Sequence, residues 1–597
     1  MTNMMETAQA QLRELLMQAL GSLTAEGKIE AAPLPGFKIE VPADKSHGDF
    51  ASNIAMASAK ALHMAPRAIA ELIVGAMSFD GTYFEKAEIA GPGFMNFFLR
   101  RSWFSDTVQA VIDDQDNYGK SEDGKGKKAL VEFVSANPTG PMHVGNARGA
   151  ALGDGIAALL EWTGWHTERE FYVNDAGNQI EKFGKSLSLR YMQLCSDKGQ
   201  QALAANADDV EALAAAIYGE DGNHPDFPMP EDVYLGKDII IHAANYYKEH
   251  TSDLAEVSEE DRRAALVGYA LPLNIAGLER DLKSYRVVYD NWYRESALHA
   301  DGSVDRIIDE LTRRGFTYEQ EGAIWFKAEQ FGADKDFVLR RANGIPTYIV
   351  PDIAYHMDKL VTRNFDKAIN VLGADHHGYV PRLKAALKAL DVDTDRLDVV
   401  LMQMVMLFRN GQPAKLSKRS GKAIGLVTLL EDIPLDAARF FFNMREANSH
   451  FEFDLDLAVE KSSQNPVYNV QYAHARICSI LRTLKEEGLY IEKPMSELPL
   501  GDTTQETELI RHIAAFPAEV SAAARAYDPS RVTKYALELS ALFHKFYEAC
   551  SVKNAETEEL RASRIGICRA AVQTLRNAMA ILKIDCPERM ERKEAEA

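Results

Sequence analysis

The spacing of apolar positions changes character along the 597-residue chain. Residues 5–20 place Leu12, Leu15, Leu16, Ala19 and Leu20 three and four apart, the pattern of an amphipathic helix. Phe37 to Val41 reads as a strand, 51–62 and 66–77 as helices, and 83–89 and 94–99 as strands joined by Gly91-Pro92-Gly93. These elements predict a small α+β domain over 1–115, set off by the polar, charged run 113–128.

The pattern then shifts. Ala129-Leu-Val-Glu-Phe-Val134 is a short apolar strand. A Gly/Pro-rich turn, a helix from about 146 to 162 and a second strand over 167–173 follow. Strand, helix and strand in this order open a doubly wound α/β sheet. Residues 195–262 are Ala-rich and acidic and read as a helical insertion. Strand-like runs return at 286–289, 324–326, 336–339 and 369–372, so the α/β domain is predicted to span 116–460. Beyond it strands vanish, and 461–597 reads as an all-helical domain with a frayed, charged end over 588–597.

Hydrophobic content of 46% and charged content of 26% are ordinary for a soluble globular protein. The formal charge, 67 − 88 = −21, offers no hint of nucleic acid, although local basic patches still serve acidic proteins that bind it. Five scattered cysteines (Cys195, Cys478, Cys550, Cys568, Cys586) form no C-x-x-C pair. That argues against a zinc site and for reduced thiols. Residues 1–20 lack the apolar core of a signal peptide, and no apolar run of about eighteen residues occurs. A soluble, cytoplasmic chain without a membrane partner is expected.

Two segments carry the candidate chemistry. The first runs Ser135, Ala136, Asn137, Pro138, Thr139, Gly140, Pro141, Met142, His143, Val144, Gly145, Asn146. It falls between the first strand and its helix, at the carboxyl edge of the predicted sheet, where such folds bind ligands. A helix N-terminus offers unpaired N–H groups and a partial positive charge, which suit phosphate. Gly140 and Gly145 permit close backbone approach, Pro138 and Pro141 stiffen the turn, and His143 and Asn146 supply hydrogen-bond donors. Neither common phosphate loop is present: Gly119-Lys-Ser121 lacks the preceding glycine of a P-loop, and no G-x-G-x-x-G follows a strand. The second segment is Lys415-Leu-Ser417-Lys418, with Arg419 and Lys422 close behind. Cations this dense on a small-residue loop suit closure over a triphosphate, stabilising charge at the α-phosphate and the departing pyrophosphate.

Together these segments resemble the "HIGH" and "KMSK" signatures of class I aminoacyl-tRNA synthetases. The longer strings Glu132 to Asn146, Tyr172 to Gln179 and Thr347 to His356, and the terminal Glu588-Arg-Met590, resemble the arginyl-tRNA synthetase family over nearly the whole chain. Asn146 stands where the general signature has a second histidine, and Leu416 where it has methionine.

The resemblance implies activation of L-arginine by ATP with Mg²⁺ carried by the nucleotide, no protein-bound metal, and transfer to tRNA(Arg) by a monomer. It implies that His143, Asn146, Lys415 and Lys418 act on ATP, with Pro138, Gly140, Gly145, Gly373, Asp375, His376 and Ser417 around the nucleotide. It implies an arginine pocket of Glu132, Ser135, Asn137, Tyr348 and Asp352, the last two sharing a face if helical. The helical domain is then expected to read the anticodon through Tyr468, Tyr472, His474 and Arg476, and the N-terminal domain to touch the tRNA elbow. Rival readings are another class I synthetase, a class I-like nucleotidyltransferase acting on a small metabolite, and a non-catalytic tRNA-binding relative.

Overall fold

The computed structural model describes residues 2–33, 36–42, 44–206, 208–219, 222, 224–416, 424–501 and 503–590. The chain forms two compact units. One is built from 122–460 with the short segment 527–530, the other from both ends of the chain, 1–121 with 461–526 and 531–597.

The central unit carries five parallel strands: β1 (Lys128–Glu132), β2 (His166–Val173), β3 (Asn291–Arg294), β4 (Lys367–Gly373) and β5 (Leu397–Met402). They lie in the order 3-2-1-4-5, with β1 in the middle. This is the expected doubly wound sheet, and its reversal point falls beside β1, where ligands collect. The helix after β1, α1 (Val144–Trp162), is buried from Ala147 to Leu160. Its small and aliphatic residues suit an interior helix, and it presses so closely on the strand end that a Cβ on Gly153 would meet the Phe133 ring at 2.1 Å.

Two strand expectations change. Residues 286–289 are not a strand, because Arg286 has φ +61° and breaks the extended run; pairing with β2 starts at Asn291. Residues 324–326 and 337–340 do not join the parallel sheet. With 317–320 they make a separate antiparallel sheet, whose first turn has positive φ at both Glu321 (52°) and Gly322 (75°). A two-residue turn of that kind makes a hairpin and cannot link parallel strands. Helix α2 (Ile349–Met357) follows and buries Ile349, Val350, Ile353 and Ala354 against that sheet and its neighbouring helices. The insertion is helical, with helices at Asp197–Ala205, Val210–Tyr218, Lys237–His250 and Glu259–Ser284.

The other unit combines a four-stranded antiparallel sheet and helices of the N-terminal segment with the four long C-terminal helices. Read separately in sequence, the two ends form one body: Tyr118 Oη donates to the Ile513 carbonyl (2.9 Å) and Arg511 pairs with Asp49 (2.5 Å). Among the described residues, no helix is long and apolar enough to cross a membrane.

Candidate active site

The turn after β1 is strained. Val134 and Ser135 both have positive φ (67° and 39°), which costs a β-branched residue most. The strain aims Ser135 back at the strand: its Oγ donates to Glu132 Oε1 (3.0 Å) and accepts the Tyr172 N–H (3.2 Å). Asn137 is exposed, while Pro138 is buried and its carbonyl accepts from Asn274 Nδ2 (2.9 Å). Asn274 in turn meets His242 Nε2 (2.6 Å), so two helices of the insertion buttress the signature turn.

His143 caps α1. Its Nδ1 accepts the Gly145 N–H (3.1 Å), and Asn146 Oδ1 accepts the His143 N–H (3.0 Å). Partial burial holds the imidazole below its usual range, so it is neutral near pH 7. With Nδ1 an acceptor, the ring proton lies on Nε2 and is free to donate. Gly145 also makes room for the histidine: a Cβ there would lie 2.9 Å from His143 Cε1. Asn146 spends its oxygen on the cap, leaving only its amide N–H groups to donate.

The chain just beyond the basic loop meets the first signature turn. Leu426 N–H donates to the Met142 carbonyl (3.1 Å), and Gly425 bridges His143. A Cβ on Gly425 would strike Met142 O at 2.5 Å. The basic loop is tied at its base, where Ile424 N–H donates to the Lys415 carbonyl (3.3 Å). Lys415 is exposed, and Ser417 and Lys418 lie outside the described residues.

Carboxylates gather at the other strand ends. Asp352, in the first turn of α2, accepts the Tyr379 hydroxyl, and Tyr348, the N-cap, stacks on Tyr379 with centroids 6.3 Å apart. Burial, reinforced by Glu132 and Glu295, pushes the Asp352 carboxyl up to about 7. Glu295 follows β3 and is also pushed up by burial. Asn174, after β2, donates to its Oε2 (3.2 Å). Asp175 beside it accepts Ser296 N–H and Oγ–H (both 2.8 Å), which fixes that strand end. Glu132 pairs with buried Lys359 (2.5 Å). Glu295, Tyr379 and Lys359 were not singled out from the sequence, where no local motif marks them. After β4, Asp375 and His376 are exposed beside Gly373, with a weak contact at 3.9 Å. Glu132, with Lys359 on it, Asp352 and Glu295 thus gather at the strand ends, on the sheet edge from which the turn leads to the neutral His143 N–H donor at the start of α1.

The residues match, in chain order, the arginyl tRNA synthetase N terminal domain (10–99), the class I (R) tRNA synthetase catalytic domain (107–456) and the DALR anticodon binding domain (470–590). The chain belongs to the arginyl-tRNA synthetase family. The arginine–tRNA ligases of Acetivibrio thermocellus and of Caldanaerobacter subterraneus subsp. tengcongensis are each 46% identical to it, over 99% of this chain and 100% of theirs. The Thermus thermophilus arginyl-tRNA synthetase structure shares the fold, with a TM-score of 0.69 at 22% identity over 97% of this chain and 100% of that one.

In the synthetase's helical segment the expected tRNA residues separate. Tyr468 and Tyr472 stack (6.2 Å), Arg476 donates to Tyr472 Oη (3.0 Å) and covers the Tyr547 ring (4.6 Å). Tyr472, Arg476 and Tyr547 line a cleft of about 1000 Å³ with Arg482, Lys553 and Arg589. His474 is fully buried and bonded to the Pro587 carbonyl (3.1 Å), so it offers no face to a base.

Proposed function

We propose that the chain attaches L-arginine to tRNA(Arg) in two steps through an arginyl-adenylate. The arginine carboxylate attacks the α-phosphorus of ATP, forming the acyl–phosphate bond as the bond to pyrophosphate breaks. The terminal adenosine 2′-hydroxyl of tRNA(Arg) then attacks the acyl carbon, loses its proton and releases AMP. No covalent enzyme intermediate is needed, so positioning and charge stabilisation carry the rate.

The supporting observation is the acidic cluster of Glu132, Asp352 and Glu295 at the strand ends, on the sheet edge where the turn leads to His143. In this reading Asp352 pairs the guanidinium, a planar fork that matches a carboxylate, while Tyr348 covers it. Glu132 with Ser135, and Asn137, hold the α-amino and carboxylate end. His143, the Asn146 amide and the N–H groups of α1 meet the phosphates; Gly140 leaves the nucleotide room; Gly373, Asp375 and His376 face the ribose. Lys415, Ser417 and Lys418 close on the pyrophosphate. Mg²⁺ arrives with ATP rather than in a protein cage. The N-terminal segment 1–115 touches the tRNA elbow. Segment 461–597 reads the anticodon with Tyr468, Tyr472 and Arg476, whose rings and guanidinium suit unpaired bases. The enzyme works as a cytoplasmic monomer.

Charging assays with each of the twenty amino acids test this reading, arginine alone being expected to load. Lys418→Ala is expected to slow arginine activation roughly tenfold or more, about 1.4 kcal/mol in barrier. Unchanged turnover contradicts the clamp.

A further inference from the structure

Lys359 is fully buried, yet none of the steps above uses it. It sits two residues beyond α2 in a single π-turn, Asp358–Thr362. Its Nζ donates to Glu132 Oε2 (2.5 Å) and Asn370 Oδ1 (3.2 Å), and lies 3.9 Å from the centre of the Tyr355 ring. Asn370, on β4, donates through Nδ2 to His356 Nε2 (2.8 Å), and His356 Nδ1 donates to the Asp352 carbonyl (2.7 Å). Burial holds His356 down at about 3, so this ring is neutral and its two nitrogens keep distinct roles. One chain of contacts therefore runs from the end of β1 through Lys359 and β4 to the backbone of Asp352.

Burying an ammonium costs several kcal/mol unless its partners are well placed. The site explains the arrangement through charge. Two carboxylates, Glu132 and Glu295, lie close enough to Asp352 to raise its proton affinity. Two full negative charges beside Asp352 would hold it protonated, and a protonated acid is a poor partner for a guanidinium.

We propose that Lys359 is a positioning residue for amino-acid recognition: it fixes the Glu132 carboxylate and takes up its charge, leaving Asp352 as the ionised partner of the substrate's cation. The inference rests on the reading of Asp352 given above. The groups facing Asp352 are Tyr379, Glu132, Glu295 and Lys359, with Tyr172 beside them. Glu132 and Glu295 raise its proton affinity, and Tyr379 and Lys359 lower it.

The test uses the full-length enzyme, with tRNA charging at varied arginine between pH 6 and 9. Lys359→Met is expected to raise the arginine KM by about tenfold or more with kcat within about threefold. The acid limb of kcat/KM should rise by roughly half a pH unit or more, since Glu132 is then left bare beside Asp352. The Glu132→Gln/Lys359→Met double variant buries no unpaired charge and should move the limb below that of wild type. A packing role alone would lower kcat or the folded fraction and leave KM and the limb unmoved, which overturns the inference. If the single variant does not fold, the double variant decides, and a limb at or above the wild-type position overturns it. Asp352→Asn with a wild-type KM would instead overturn the pocket reading, and this inference with it. A defective Asp352→Asn beside an unaffected Lys359→Met overturns this inference alone.

Discussion

Asp352→Asn separates recognition from folding, because the two effects have opposite signs. The carboxyl is raised from its ordinary 3.8 to about 7 in the free fold, chiefly by burial. At about 1.4 kcal/mol for each tenfold in proton affinity, its ionised form costs the free protein at most about 4 kcal/mol. The folded value lies above the unfolded one. The penalty is therefore fully present above pH 7, shrinks as pH falls through 7, and is gone below about 4. Asparagine keeps the shape and can still accept the Tyr379 hydroxyl, but carries no charge. The variant should unfold at higher temperature than wild type at pH 8, with the gap closing towards pH 5. Recognition moves the other way. Truncating one partner of a buried charge pair costs about 2–5 kcal/mol, roughly 30- to 5000-fold in kcat/KM for arginine. Initial rates of tRNA charging at varied arginine, beside thermal unfolding without ligands at both pH values, measure the two terms. A variant with unchanged kcat/KM, or one less stable than wild type at pH 8, refutes the reasoning.

Tyr379→Phe removes the hydroxyl donated to Asp352, which normally lowers that carboxyl. The acid limb of kcat/KM for arginine should move upward from near pH 7, and kcat/KM should fall about tenfold at pH 7; a limb that stays put contradicts the assignment. Gly145→Ala places a Cβ 2.9 Å from His143 Cε1 and must displace the imidazole. ATP activation is expected to drop by about tenfold or more with the arginine KM little changed, as read by ATP–pyrophosphate exchange in the presence of tRNA.

The sheet was legible because its first βαβ unit has strong local signals: an apolar run, a Gly/Pro turn and an apolar helix. The hairpin at Glu321-Gly322 was missed because strand-like runs look alike whether their partners are parallel or antiparallel; the turn's φ values decide, and spacing does not show them. Within the site, Glu132, His143 and Asp352 could be read from local strings. Lys359, Glu295 and Tyr379 could not, since they reach the pocket from separate elements that only the fold brings together. That Gly145 also accommodates the His143 ring was not legible, because that ring folds back from two residues earlier. His474 shares its helix with Tyr468, Tyr472 and Arg476, but points into the helical core.

In the proposed function an ionised carboxylate, Asp352, selects a cation. Charging of tRNA(Arg) with arginine, against its uncharged urea analogue of nearly the same shape, tests it most directly. Arginine should be preferred by about 10³-fold or more in kcat/KM at pH 8, the preference shrinking as Asp352 takes up its proton below pH 7. Comparable charging of the two at pH 8 would contradict it.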